Sequence, residues 1–220
     1  GLDLLAKTVN GTDGYTAADF SGRHFLQTAP ITYDGEGNYT AIGSNSKPFK
    51  GIFNGGGKSI SGIRINSSDN YKGLFGEIGT GAEVKNVVLA DAQIAGAVCT
   101  GGIAGRNDGG TISGCVVEDD VTIGYAAGNV TCHGGIVGNI INGGVVSGCV
   151  SKATINGSNS YNNGNELFGG IAGQNNGGTI RECLYTGSTV QGKQYIGAIV
   201  GNNISDGTLT NKYYTNSGVP

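Results

Sequence analysis

Gly102-Ile103-Ala104-Gly105, a polar turn ending in Gly109-Gly110, then Thr111-Ile112-Ser113-Gly114-Cys115-Val116-Val117: this phrase decides the fold, because the chain keeps rewriting it. It returns as Gly135-Ile136-Val137-Gly138 with Gly144-Val145-Val146-Ser147-Gly148-Cys149-Val150, and as Gly170-Ile171-Ala172-Gly173 with Gly178-Thr179-Ile180-Arg181-Glu182-Cys183-Leu184. Weaker copies stand at Gly73-Leu74-Phe75-Gly76 and Ala198-Ile199-Val200-Gly201, and a degenerate one runs from Gly51 to Ile65. The copies begin at residues 51, 73, 102, 135, 170 and 198, in steps of 22, 29, 33, 35 and 28. A phrase recurring at such periods marks a stacked solenoid, whose units bury a core only against their neighbours.

Each copy divides into three short strand-like pieces: the tetrad, the Thr-Ile-Ser-Gly-Cys-Val run, and a brief third piece such as Gln93-Ile94-Ala95-Gly96, Val121-Thr122-Ile123-Gly124 or Ala153-Thr154-Ile155. β-Branched residues bounded by Gly and Asn favour strands over helices. Stacked at about 4.8 Å, like residues form columns. Val84, Ile112, Val146, Ile180 and Leu209 make one; Ile63, Val87, Cys115, Cys149 and Cys183 a second; Ile94, Ile123, Ile155 and Val190 a third. Three apolar columns enclose a core, so the expectation is a single all-β domain, a right-handed parallel β-helix of about six coils, with handedness taken from the crossover preference. Residues 51–220 form the repeat. Residues 1–50 do not fit it and read as an N-terminal cap, with a short helix over 12–20 and Leu2, Leu4, Leu5, Phe20, Phe25 and Leu26 as its apolar surface.

The tetrads resemble the GLUG motif, a Gly-Leu/Ile-x-Gly repeat of bacterial secreted and cell-surface proteins, adhesins among them. The run Pro48-Phe49-Lys50-Gly51-Ile52-Phe53-Asn54-Gly55-Gly56-Gly57-Lys58-Ser59-Ile60-Ser61-Gly62 is similar to the segment that commonly precedes those repeats. The resemblance covers residues 48 to about 214 and departs in the last copy, where Ala198 replaces the first glycine and Lys212 the column cysteine. It implies a β-helix on a bacterial surface and carries no catalytic residue over.

Bulk composition agrees. Forty-four glycines and three prolines without a triplet period exclude a collagen helix. A net charge of -3 leaves no basic footprint for nucleic acid. No run approaches the roughly 18 apolar residues of a membrane span. The final copy lacks a third strand and a polar cap, and an open last coil invites pairing, so a longer chain or a partner is expected at that end.

The five cysteines fall into two columns, Cys115–Cys149–Cys183 and Cys99–Cys132. They read either as a disulfide ladder or as small stacked hydrophobes. Parallel in-register side chains run side by side without facing each other, so all five are expected reduced and buried.

Candidate chemistry is sparse, and no cofactor or metal set is evident. Gly57-Lys58-Ser59 lacks the leading glycine of a phosphate loop, since Ile52 stands there. Alignment of Ile94, Ile123 and Ile155 stacks Asp91, Asp120 and Lys152; two carboxylates one coil apart could serve a polysaccharide-cleaving enzyme or hold calcium, and Lys152 could instead neutralise them. The stronger signal is loop length. The corner before the tetrad is longest in two adjacent coils, at Tyr125 to His133 and Ser158 to Phe168. These loops carry Tyr125, His133, Asn159, Tyr161, Asn162, Asn163, Asn165 and Glu166. Insertions on one face of a solenoid commonly bind, and aromatics among amides suit a glycan or a polar protein surface. The expected function is therefore a non-enzymatic adhesion module on a bacterial surface, with a polysaccharide lyase or glycosidase as the alternative.

Overall fold

A computed structural model describes residues 1–125, 132–157 and 166–215, and of Tyr125 the backbone alone. Its strands are short and, within the named ladders, pair in parallel, coil upon coil, as a β-helix. A representative coil shows five strands where three were expected. They are Cys99–Gly101 (ladder I), Ala104–Asp108 (ladder II), Thr111–Ser113 (ladder III), Val116–Val117 (ladder IV) and Thr122–Tyr125 (ladder V). The difference has a cause in the phrase itself. Gly102-Ile103 is a corner between ladders I and II, so only Ala104-Gly105 of the tetrad is strand, and Gly114-Cys115 is a corner that splits the second run between ladders III and IV.

Register confirms the column through Val84, Ile112, Val146, Ile180 and Leu209, and extends it back to Phe53 and Phe25. The column of Ile94, Ile123, Ile155 and Val190 also stands, joined by Ile65. Ile63 belongs elsewhere. Arg64 pairs with Gln93, which sets Ile63 in line with Ala92, Val121 and Ala153, all with no exposed surface. Val116, Val150 and Leu184 point partly outward, while Val117, Ser151 and Tyr185 beside them are the buried partners.

The expected cap divides in two. His24–Leu26 and Ile31–Thr32 already form a rung, pairing in parallel with Ile52–Asn54 and Ser59–Ser61. The helix lies earlier than expected, at Leu2–Asn10 (α1). Leu2, Leu5, Ala6 and Val9 are its buried residues, the i, i+3, i+4, i+7 stripe of an amphipathic helix. Gly11 ends it in the left-handed conformation, its N–H bonded to Lys7 O, and Asp13 at φ 53 makes a turn where a helix N-cap was read. Aromatic rings fill the first rungs: Phe20 meets Phe25 at 5.1 Å, and Phe49 meets Phe75 at 5.2 Å.

Two corners are left-handed in every coil from Glu83 onward. After ladder III the residues are Asn86, Gly114, Gly148, Glu182 and Asn211, with φ of 53, 59, 59, 57 and 46. Before ladder III they are Gly81, Gly109, Gly143, Gly177 and Asp206, with φ from 59 to 83. Gly and Asn bear this conformation at little cost; a glutamate does not. The last glycine of the tetrad answers a different demand, close approach. A Cβ on Gly138 would lie 2.6 Å from Thr100 N, and one on Gly173 only 2.4 Å from His133 N. Ladder I of one coil thus nests its backbone against the tetrad of the next. The first glycine makes room for ladder IV across the core, since a Cβ on Gly170 would lie 2.3 Å from Tyr185 Cγ.

Buried polar groups are met within the turns. Asn175 Oδ1 accepts from Gly178 N at 3.0 Å, and its Nδ2 donates to Asn203 Oδ1 at 2.8 Å. Asn107 Oδ1 accepts from Gly110 N at 2.9 Å, one coil pair away in the same column.

The cysteines correct the expectation. Cys99 and Cys132 form a disulfide, with Cα atoms 4.6 Å apart. Direct opposition on neighbouring rungs of ladder I is close enough for side chains on one face to bond, although they leave the strands in parallel. The odd cysteine count is met by the other column, where Cys115, Cys149 and Cys183 stay free and fully buried. Their thiols meet backbone carbonyls, as Cys149 does Ser147 O at 3.4 Å and Cys183 does Arg181 O at 3.3 Å. Contact with Cys115 raises the Cys149 pKa, and contact with Cys149 followed by burial raises that of Cys183, so both stay protonated and unreactive.

Thiol titration without reductant should find no reactive thiol in the native protein and three after unfolding; finding five would remove the disulfide. Chemical unfolding of two variants checks the glycine argument. Glu182→Gly should stabilise by about 1 kcal/mol through relief of the left-handed corner, and Gly173→Ala should destabilise by about 3 kcal/mol through backbone overpacking.

Candidate functional site

Register places Asp91, Asp120 and Lys152 in one column, two residues before Gln93, Thr122 and Thr154. Asp120 is exposed, while Asp91 and Lys152 are committed to other partners. Asp91 Oδ1 accepts from Arg64 Nη2 at 2.7 Å, and Lys152 Nζ pairs with Glu118 Oε2 at 2.6 Å. Among the described residues no three of His, Cys, Asp and Glu converge as a metal site.

Of the loop residues singled out by sequence, Asn159, Tyr161, Asn162, Asn163 and Asn165 lie outside the described residues, and so does the Tyr125 side chain. The described ones are interior. His133 has no exposed surface, and Glu166 has 3%. His133 faces the core from ladder I, its ring 5.4 Å from that of Phe168. Among the described residues neither of its nitrogens has a well-formed hydrogen bond, with the carbonyls of Ala97 and Gly124 nearby. Glu166 Oε2 accepts from Lys193 N at 3.2 Å.

The outer faces of ladders I and II carry a feature that motif reading passed over. Ladder I pairs Cys99 with Cys132 and Cys132 with Leu167; Lys72 opposite Thr100, and Phe168 opposite Ile196, extend the line to Tyr71 and Tyr195. The outward column is thus Tyr71, Cys99, Cys132, Leu167, Tyr195. Ladder II sets beside it a second column, Glu77, Arg106, Asn139, Gln174, Asn202. Between the two runs a groove of about 310 Å³, lined by Tyr71, Cys99, Leu167, Tyr195 and the three amides. One wall is apolar with a tyrosine at each end, and the other is a row of carboxamides. Both tyrosines sit at positive φ, 56 and 45, a strained backbone for an aromatic residue.

One end of the groove is braced. Arg106 stacks its guanidinium 4.5 Å over the Tyr71 ring, donates to the Tyr71 hydroxyl at 3.1 Å, and pairs with Glu77 at 2.7 Å. It also donates to Asn45 Oδ1. Burial raises the Glu77 pKa against the pull of Arg106. The amides are unspent: Asn139 Oδ1 is buried without a hydrogen-bond partner among the described residues. The signal for this groove was present in the sequence only as the register offset between Tyr71, Cys99, Cys132, Leu167 and Tyr195, which becomes visible once the coils are aligned on ladder I.

Burial lowers the His133 pKa to about 4. In the unfolded chain the ring titrates near its usual value of about 6.5, so the unfolded state takes up the proton first. The stability this neutral ring allows is complete above about pH 6.5 and is lost as pH falls toward 4. Urea unfolding should show a loss of about 2–3 kcal/mol from this residue between pH 7.5 and 4.5. His133→Phe should lack that part of the pH dependence; an unchanged profile would contradict it.

Residues 96–122, which hold one complete tetrad and its flanking strands, match the family described as the GLUG motif. A "putative Gly-rich membrane protein" of Evansella cellulosilytica is 39% identical over 94 residues, 41% of this chain and 11% of its own length. Halomucin of Haloquadratum walsbyi is 36% identical over 92 residues, 39% of this chain and 1% of its own length. The chain therefore spans a small part of the curated relatives it matches. A crystal structure of a "putative immunoglobulin A1 protease" from Bacteroides ovatus superposes with a TM-score of 0.69 at 20% identity, covering 94% of this chain and 65% of that one. That likeness concerns the fold. With the motif matched at one copy and the same phrase rewritten in the coils around it, the chain resembles GLUG-motif repeat proteins and is built as a parallel β-helix.

Proposed function

We propose that this chain is a non-enzymatic binding module of a longer secreted or cell-surface protein, and that it engages a glycan or a surface protein on the face formed by ladders I and II. The observation that carries this reading is the groove: three in-register rungs place the amides of Asn139, Gln174 and Asn202 opposite an apolar wall, on the outside of a rigid scaffold. A site on strands rather than loops is held at fixed spacing before any ligand arrives. The segments 126–131 and 158–165 join ladder V to ladder I, so Tyr125, Asn159, Tyr161, Asn162, Asn163 and Asn165 belong to this proposal by connectivity. Its surface location draws on the Gly-rich membrane protein among the relatives. No helix among the described residues is long and apolar enough to cross a membrane.

The test is retention on a glycan array and on an array of extracellular matrix and cell-surface proteins, with wild-type chain beside Gln174→Trp, which fills the groove. Binding to either array that falls at least tenfold in the variant is the expected result. No binding on either array, or binding indifferent to Gln174→Trp, would defeat the proposal.

A further inference from the structure

We infer that the groove between ladders I and II is the site of a neutral, extended glycan lying along the solenoid axis, with Tyr71 and Tyr195 as end platforms for sugar rings. This rests on the binding-module reading and gives it a substrate class.

The charge of the site selects the ligand first. Asn139, Gln174 and Asn202 are uncharged, and the two ionised groups of that column, Glu77 and Arg106, neutralise each other at 2.7 Å. Nothing there favours an anionic polymer over a neutral one. A carboxamide offers two donors and an acceptor in one plane, which matches a hydroxyl able to give and to take a hydrogen bond. The acceptor on Asn139 is desolvated and has no partner among the described residues, so a ligand hydroxyl that met it would add a hydrogen bond. The opposite wall supplies the apolar half of an amphipathic match. Tyr195 is 53% exposed and Leu167 6%, and Tyr71 is held in place by Arg106. The C–H face of a pyranose packs on such surfaces, while its rim hydroxyls turn to the amides.

Spacing selects the orientation. Rungs repeat at about 4.8 Å, so the four steps from Tyr71 to Tyr195 span about 19 Å. A hexose in an extended chain advances by nearly one rung, so successive sugars meet successive amides in register. An extended peptide fits less well. Peptides bind sheets by pairing with a free strand edge; here the strands cross the groove, and those that line it are paired to the rungs beside them.

The experiment uses the whole chain and short neutral oligosaccharides: cello-, xylo-, manno- and chito-oligomers of two and five units, followed by calorimetry and amide chemical shifts. At least one pentamer should bind at least tenfold more tightly than its dimer, with shifts in Asn139, Gln174 and Asn202. Tyr195→Ala and Gln174→Ala should each weaken it about tenfold, Tyr195→Phe should restore the wild-type level, and circular dichroism establishes that the variants stay folded. Failure of all four series, or pentamer binding unaffected by both alanine variants, overturns the glycan assignment. If the protein array still yields a ligand blocked by Gln174→Trp, the binding-module reading survives that failure; if it does not, both fall together.

Discussion

The structure depends on one close contact: the backbone of ladder I in each coil against the last glycine of the following tetrad. At Gly105, Gly138, Gly173 and Gly201 a side chain would run into main-chain atoms between 2.4 and 2.6 Å away. Because ladder I can sit that close, its inward residues Thr100, His133 and Phe168 reach the interior without exposed surface. Its outward residues form a separate small cluster of Cys99, Cys132 and Leu167, with Tyr71 and Val98 packed on it. The groove exists because ladder I stands as a ridge beside ladder II. Removing the glycine contact would move the ridge, and the groove wall with it.

The repeat phrase makes most of the core legible. Once the tetrads are aligned, one apolar column of ladder III and one of ladder V follow, and the left-handed corners follow from Gly109, Gly143 and Gly177 in equivalent places. What escapes is instructive in each case. Ile63 was assigned to the cysteine column because the early copy is degenerate, and only the hydrogen-bonded pairing of Arg64 with Gln93 settles its line. The helix was read at 12–20 because Thr12 and Asp13 look like caps, whereas the apolar stripe that decides a helix sits at Leu2, Leu5, Ala6 and Val9. The disulfide was rejected on side-chain direction, although the spacing of stacked strands permits the Cα approach, which is 4.6 Å between these two residues.

The candidate site was less legible than the fold. Loop length pointed to the corner that leads into ladder I. Yet His133 and Glu166, chosen as displayed polar groups, are walled in. Strand residues alternate in and out, and the tetrad corner shifts that alternation: ladder II pairs Ala104 with Val137 and Arg106 with Asn139, passing over Gly105. An outward row of Asn139, Gln174 and Asn202 cannot be picked from so Asn-rich a sequence until that shift is known.

The disulfide has a mechanical meaning as well as a covalent one. In a β-helix the hydrogen bonds between coils run along the axis, so a pull on the two ends peels coils away one after another. Cys99 and Cys132 are 33 residues apart in the chain, and their bond closes one full turn into a ring. Such a ring withholds its chain from the extension, about 110 Å at 3.3–3.6 Å per stretched residue. The tethered turn carries two members of the groove's apolar column, Cys99 and Cys132 themselves, and Arg106 of the column beside it. A filament anchored at one end and loaded at the other would therefore lose its terminal coils while the ring joining these two rungs remained closed.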